Sequence, residues 1–355
     1  MSNTPDGERQ PLISIVEVQT GWGEAADIDF DYNGKRVSVS LVSTDTSGSY
    51  EKGYHGVHAE DQLINKLTRN MASEEFNEAV NYGVIDAIVD IGKEFFATIP
   101  PLLAPKPSEQ QILHSLLYPE TFCLSFKTVN GKPTVTQVAT PERISNASLE
   151  FQVDNDLPQY SSQEIPVSKV LLGHGNVARV VISGQDMLCK AQESGFQTTS
   201  LLREISSLQT IRNAGSESIR VPKLLGYVKH ALDGSIIGFV REWIPSSSFG
   251  KSLRDVKAAE VPRELREKWA TQIRQTIDEL HKIGVFWGDG KPSNIIIDDH
   301  NDLWLIDFGG GWTEGWTEEG SVGTLAGDKQ VLEKILNYLE VEQSLVRTNK
   351  DYHIL

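Results

Sequence analysis

The sequence predicts an α+β protein with more than one domain. Its 355 residues exceed the length of most single domains. Runs of β-branched residues joined by Asn-Gly pairs predict hairpins, and longer segments with apolar residues three and four positions apart predict amphipathic helices. A polar stretch, residues 141–166, is interpreted as a linker that separates an N-terminal α+β domain, residues 1–140, from the rest of the chain.

The N-terminal domain is predicted to contain three strands, two helices and two further strands. Asn33-Gly34 and Asn130-Gly131 are strong hairpin signals between neighbouring strands. The predicted strands cover residues 12–20, 28–32, 36–42, 121–127 and 134–138, and the predicted helices cover residues 59–70 and 74–98. This domain carries no spacing that points to catalysis, so its function stays unassigned, with a protein partner as one possibility.

Composition excludes several classes of function. Lys and Arg number 33 against 49 Asp and Glu, a net charge of −16, which argues against nucleic-acid binding and against binding to an anionic membrane surface. Two cysteines are too few for a disulfide scaffold. Since the first residues lack the pattern of a signal peptide and no apolar run is long enough to span a bilayer, we expect a cytoplasmic protein, without excluding the nucleus.

Oxygen-bearing side chains and a lysine are concentrated in one region of the second half. The string Trp-Gly-Asp-Gly-Lys-Pro-Ser-Asn at residues 287–294 precedes two short apolar strands, residues 295–297 and 303–306, and Asp-Phe-Gly follows at residues 307–309. A helix with Pro262 near its start and Gly284 at its end comes before the string. The strand pair is expected to bring both ends of this region together.

The residue types in this cluster suit phosphoryl transfer, in which catalysis is mostly positioning and neutralisation of negative charge. Asn294 and Asp307 offer hard oxygen ligands for Mg²⁺. Asp289 is placed to orient an attacking hydroxyl and to accept its proton, and Lys291 to offset charge on the moving phosphoryl group.

The two motifs together resemble the catalytic and metal-binding loops of eukaryotic-type protein kinases. The wider strings W-G-D-x-K-x-x-N and I-D-F-G-G-G-W-T-E-G-W look like those of kinase-like proteins from filamentous fungi. The resemblance implies a bilobal protein-kinase-like fold with an N-terminal lobe at residues 167–245 and a shortened C-terminal lobe at residues 246–355. It also implies ATP and Mg²⁺ as cofactors.

The resemblance implies further motifs upstream of this region, and the sequence contains them in the expected order. Residues 172–180 fit a glycine-rich loop, with Ala178 in place of its third glycine. A lysine on a predicted strand and a glutamate on a predicted helix follow, and Arg241 falls near the position that gates the adenine back pocket. The residues that the resemblance assigns to nucleotide binding are Gly173, Gly175, Val180, Lys190, Glu204, Glu242 and Ile244.

The sequence also departs from the protein-kinase pattern. Trp287-Gly288 replaces the usual His-Arg, so pairing with a phosphorylated activation loop is not expected, and Trp287 is interpreted as structural. Asp328 resembles the buried aspartate that braces the catalytic loop. The hydroxyls that follow Asp307, at Thr313, Thr317, Ser321 and Thr324, are interpreted as solvated.

The predicted function is an ATP- and Mg²⁺-dependent phosphotransferase acting on a hydroxyl of a protein Ser/Thr or of a small molecule. One alternative is a nucleotide-binding pseudokinase in which residues 1–140 are the interaction module. Another is a kinase fold used for adenylyl transfer or amide-bond formation. The partners expected are therefore ATP and an unidentified hydroxyl-bearing substrate.

Overall fold

The computed structural model describes residues 11–21, 24–43, 58–73, 76–100, 110–140, 152–192 and 199–341. The chain divides into two compact units. The first contains Met1–Glu109 and Tyr118–Ser145, and the second contains Gln110–Leu117 and Asn146–Leu355. No helix in the described ranges is long and apolar enough to cross a membrane.

The first unit is a five-stranded sheet with helices inserted between its third and fourth strands. Its strands are β1 (Ile13–Gly21), β2 (Ala25–Tyr32), β3 (Lys35–Val42), β5 (Thr121–Val129) and β6 (Lys132–Gln137), and its helices are α1 (Ala59–Met71), α2 (Glu78–Ile91) and α3 (Lys93–Phe96). The order is β1-β2-β3-β5-β6, with β3 and β5 parallel and the other pairs antiparallel. Both Asn-Gly pairs have positive φ at each residue and join β2 to β3 and β5 to β6, as their sequence predicts.

The helix predicted at residues 74–98 is shorter and interrupted. It begins at Glu78 and is broken at Gly92, between α2 and α3. A Cβ at Gly92 would lie 3.0 Å from the Phe96 ring and 3.1 Å from the Ile88 carbonyl oxygen. The chain therefore turns at Gly92, and Phe96 packs into the core between sheet and helices.

The second unit has a strand-rich lobe followed by a helical lobe. The first lobe contains β4 (Gln111–Ile112), α4 (Leu113–Leu117), β7 (Gln159–Ser161), β8 (Pro166–Leu172), β9 (Val177–Ile182), β10 (Gln185–Ala191), α5 (Thr199–Ala214), β11 (Leu224–Lys229) and β12 (Ile236–Glu242). Its sheet has the order β4-β8-β9-β10-β12-β11-β7. The helical lobe contains α6 (Arg263–Lys282), β13 (Ile295–Ile297), β14 (Leu303–Leu305) and α7 (Leu325–Tyr338). The α+β class and the two-lobed arrangement expected from the sequence are present.

One continuous apolar core joins the two lobes of the second unit. Its buried members include Leu201 and Ile205 from α5, Trp269 from α6 and Val331 from α7. Trp287, from the segment between α6 and β13, is also part of this core. α6 ends at Lys282, and Gly284 has a φ of 77°, the left-handed conformation that terminates helices. The chain then enters the segment that precedes β13.

The structure assigns one segment of the predicted N-terminal domain to the second unit. Residues 110–117, which the sequence places inside the N-terminal domain, form β4 and α4 of the second unit. A two-residue strand and a five-residue helix are too short to leave a periodic signal. Of the linker expected at residues 141–166, residues 141–151 lie outside the described ranges, and β7 occupies part of the remainder.

Candidate active site

Lys190 is the centre of an ion-pair cluster formed by three separate elements. Its Nζ lies 2.5 Å from Oε2 of Glu204 and 2.9 Å from Oδ1 of Asp307. The lysine is carried by β10, which is paired with β9 on one side and β12 on the other, while α5 supplies the glutamate and the segment after β14 the aspartate. Glu204 is only 3% exposed. The three side chains that the sequence assigns to nucleotide and metal are thus in direct contact.

The charges in this cluster balance closely. Burial alone would lower the pKa of the Lys190 ammonium, but the Glu204 and Asp307 carboxylates outweigh that effect and raise it, so the lysine stays charged at neutral pH. A second cation, Arg241, is buried nearby; burial lowers its pKa, and the fields of the same two carboxylates oppose that change. Arginine stays protonated under such conditions. Its Nη1 donates to the backbone carbonyl oxygen of Glu242 at 3.1 Å.

Asp289, Lys291 and Asn294 form a second cluster on the loop before β13. Lys291 Nζ lies 2.7 Å from Asp289 Oδ2, and Asn294 Nδ2 donates to the backbone carbonyl oxygen of Asp289 at 2.8 Å. A hydrogen bond of 3.0 Å from the Ile306 N–H to the Asn294 carbonyl oxygen ties this loop to the residue before Asp307. The β13–β14 pair therefore holds the backbone of Asn294 beside the residue that precedes Asp307.

Thr313 is a site residue that the sequence reasoning missed. The sequence predicts a solvated hydroxyl here, but the Thr313 Oγ1 donates to Asp289 Oδ1 at 3.1 Å and accepts from Lys291 Nζ at 3.0 Å. The hydroxyl thus bridges the carboxylate and the ammonium group. Thr313 lies on a segment without regular structure, so no spacing rule could have identified the contact; the only signal was its closeness in sequence to Asp307.

Asp328 braces the loop that carries Asp289. Its carboxylate, 2% exposed, accepts from the backbone N–H groups of Trp287 at 2.9 Å and Gly288 at 3.1 Å, and contacts His281 Nε2 at 2.8 Å. The Trp287 ring is fully buried and donates its Nε1–H to the Ile306 carbonyl oxygen at 2.9 Å. The structural interpretation of Trp287 is confirmed, and the brace expected at Asp328 is present.

The predicted nucleotide-binding residues of the strand-rich lobe lie on the glycine-rich loop and at the end of β12. Gly173 and Gly175 both have positive φ, and Val180 is buried in β9. The Glu242 backbone N–H is bonded to the Lys223 carbonyl oxygen. Within the described ranges the backbone N–H and carbonyl of Ile244 have no hydrogen-bond partner, which leaves that pair available to a ligand.

The side chains at this site suit a magnesium ion that is shared with a nucleotide. Across the described residues, no group of three or more His, Cys, Asp or Glu side chains is arranged to hold a metal ion. Mg²⁺ is commonly held by one or two protein oxygens together with phosphate oxygens. Asn294 directs its amide nitrogen at Asp289, which leaves its amide oxygen available, and the Asp307 carboxylate is about one-third exposed.

Comparison with known proteins agrees with this geometry. Residues 168–326, less than half of the chain, match the sequence model of the protein kinase domain. A CBL-interacting serine/threonine-protein kinase 16 from Arabidopsis thaliana is 28% identical over 151 residues, 39% of this chain and 30% of that protein. A serine/threonine-protein kinase PKH3 from Eremothecium gossypii is 32% identical over 95 residues, 26% of this chain and 12% of that protein.

A putative CBL-interacting protein kinase 13 from Oryza sativa subsp. japonica is 28% identical over 169 residues, 44% of this chain and 31% of that protein. The chain spans about a third or less of the length of these relatives. The second unit thus has the bilobal fold of the protein-kinase-like superfamily, and these likenesses support a kinase.

Proposed function

We propose that the second unit is an ATP- and Mg²⁺-dependent phosphotransferase whose acceptor is a protein Ser/Thr hydroxyl. The observation that carries the proposal is the contact of Lys190 with both Glu204 and Asp307, next to the cluster around Asp289. The serine/threonine-protein kinases among the relatives favour a protein acceptor over a small molecule.

Each cluster has a distinct role in the proposed reaction. Lys190 holds nucleotide phosphates, and Glu204 keeps its ammonium group in place. Asn294 and Asp307 hold the metal ion, which when bound neutralises charge on the phosphates. Asp289 orients the acceptor hydroxyl and takes its proton, while Lys291 stays close enough to offset charge on the transferred group.

Nucleotide binding is tested by the thermal stability of the full chain with ATP, alone and with Mg²⁺. A ligand at 100 times its dissociation constant adds about 2.7 kcal/mol to the stability of the unit that binds it. We expect a clear upward shift of the melting temperature with ATP and Mg²⁺ and a much smaller one for Asp307→Ala. If ATP and Mg²⁺ left the wild-type melting temperature unchanged, the proposal would fail.

Turnover is tested with Asp289→Asn, which removes the proposed base and keeps the shape of the side chain. We expect this variant to bind ATP and to lose most of its turnover. Asp278→Asn, an exposed aspartate on α6, makes the same chemical change away from the site and is the matched control. Equal turnover by Asp289→Asn and wild type would refute the role of Asp289. Mass spectrometry of the products distinguishes phosphoryl transfer, which releases ADP, from adenylyl transfer, which releases pyrophosphate and leaves an AMP group on the acceptor.

Three expectations from the sequence that are more specific than a kinase fold stay predictions. They are the likeness to kinase-like proteins of filamentous fungi, a protein partner at residues 1–140, and a cytoplasmic location.

A further inference from the structure

A short segment outside the region that matches the protein kinase domain is built into the strand-rich lobe. This segment, Gln110–Leu117, is called the strap; the chain before it and after it belongs to the first unit. β4 of the strap pairs with β8 through Gln111 and Val167 and through Ile112 and Pro166. It therefore extends the sheet beyond β8, the strand that leads into the glycine-rich loop.

The strap is anchored by both apolar and polar contacts. Leu113 is fully buried and Leu117 nearly so. The Leu113 backbone N–H donates to the Ile165 carbonyl oxygen at 2.9 Å, and His114 Nδ1 lies 2.9 Å from Ser162 Oγ. The His114 ring also packs 5.5 Å from that of His230, centroid to centroid. These contacts fix α4 although it has only five residues.

One strap residue contacts the glycine-rich loop itself. A Cβ built on Gly175 would lie only 2.9 Å from the Cβ of Leu116, closer than carbon atoms pack, so only glycine fits beneath this leucine. Gly175 is buried, whereas Gly173 and Asn176 in the same loop are exposed. Gly175 also has a φ of 101°, a conformation that other residues rarely adopt. The middle of the loop is thus held against Leu116.

We propose that the strap positions the glycine-rich loop for nucleotide binding and that Leu116 is the positioning residue. A loop of this kind has high backbone freedom, and each binding event must remove that freedom. Contact with Leu116 restricts Gly175 before the nucleotide arrives. The chain on both sides of the strap belongs to the first unit. This inference rests on the proposed nucleotide site.

The first test replaces Leu116 by alanine in the full chain and follows two readouts. Hydrogen exchange of the amides at residues 173–177, measured without nucleotide, reports how firmly the loop is held. Calorimetry with ATP and Mg²⁺ reports the dissociation constant. We expect faster exchange in the loop and a dissociation constant about 5- to 10-fold higher, because the competent loop conformation is populated less often.

Two further variants separate positioning from general damage. Leu116→Met conserves volume and is expected to restore both readouts. Leu232→Ala removes an exposed leucine from the turn between β11 and β12 and is expected to change neither. Unchanged loop exchange in Leu116→Ala, or tighter ATP binding by that variant, would overturn the proposal.

A double-mutant cycle tests the contact directly. Gly175→Ala adds a methyl group 2.9 Å from the Cβ of Leu116, so its penalty should be smaller when Leu116→Gly, which removes that Cβ, is also present. The atoms nearest to a methyl group at Gly173 belong to Asn176 of the same loop, so Gly173→Ala and Leu116→Gly should have additive effects. Additive behaviour of Gly175→Ala as well would contradict the contact. If the wild-type chain bound no ATP but Leu116→Ala still exchanged its loop amides faster, the contact between strap and loop would stand. Only the proposed function would then be refuted.

Discussion

Replacing Asp328 by alanine should destabilise the second unit and slow turnover, because one buried carboxylate holds the loop that carries Asp289. Two of its partners are backbone N–H groups, those of Trp287 and Gly288, and the third is the His281 ring. Alanine leaves both N–H groups buried without an acceptor. Each such loss costs about 1–3 kcal/mol, so we expect a destabilisation of about 2–6 kcal/mol.

A matched control is present in the turn between β13 and β14. Asp298 is also buried and accepts from two backbone N–H groups, those of His300 at 2.9 Å and Asp302 at 2.8 Å, and from the Trp304 ring N–H at 2.8 Å. Because these two N–H groups are only partly buried, water can replace the lost acceptor, and Asp298→Ala should cost at most a similar free energy. Within the described ranges no hydrogen bond joins the Asp298 side chain to the loop that carries Asp289, so kcat of Asp298→Ala at saturating ATP should stay near that of wild type.

Because the chain contains two compact units, a single melting curve does not give a well-defined free energy of unfolding for either of them. Hydrogen exchange of buried amides in α6 and α7 reports the opening free energy of the second unit alone. ADP formation at saturating ATP gives kcat. If the opening free energy of Asp328→Ala fell by less than about 1 kcal/mol, the bracing argument would be refuted. Two buried N–H groups would then have lost their acceptor at almost no cost in free energy. An equal fall of kcat in Asp298→Ala would show that the effect on turnover is general instability.

Three further predictions follow from single contacts or from burial. Thr313→Ala removes the hydroxyl between Asp289 and Lys291 and should lower kcat about 10-fold, equivalent to ~1.4 kcal/mol, with unchanged ATP affinity, while Thr313→Ser should restore kcat. Arg241→Ala removes a buried cation and its hydrogen bond to the Glu242 carbonyl oxygen and should destabilise the second unit by about 1–3 kcal/mol, measured by the same amide exchange. Burial raises the pKa of the Cys189 thiol to about 12, so a thiol reagent at pH 8 should modify a half-buried cysteine, Cys123, and leave Cys189 intact until the protein is unfolded in urea.

Those parts of the fold that have strong local signals could be predicted from the sequence. Asn33-Gly34 and Asn130-Gly131 specify tight hairpins because both residues tolerate positive φ. The approach of Asn294 to Asp307 was also foreseeable, since two short apolar strands on either side of a polar turn must pair to satisfy their backbones. In each case the information lies within about a dozen residues of sequence.

The rest depended on contacts between distant residues. The strap has too few residues for any periodicity, and its position depends on pairing with β8, about 55 residues away in sequence. Thr313 lies on a segment without regular structure, and only the folded chain brings its hydroxyl to Asp289. The break lies at Gly92, where a side chain would meet the Phe96 ring, and a helical pattern does not reveal that contact.

The charges at the site explain why an acidic protein would need a metal ion to bind a nucleotide. The lysines that face the proposed phosphate site are already neutralised: Lys190 by Glu204 and Asp307, and Lys291 by Asp289. A net charge of −16 on the whole chain adds no long-range attraction for an anion. Phosphates that approached alone would meet lysines whose charge these carboxylates already offset. A divalent cation held by Asn294 and Asp307 would supply the missing positive charge at this site, while Lys190 stays held by Glu204.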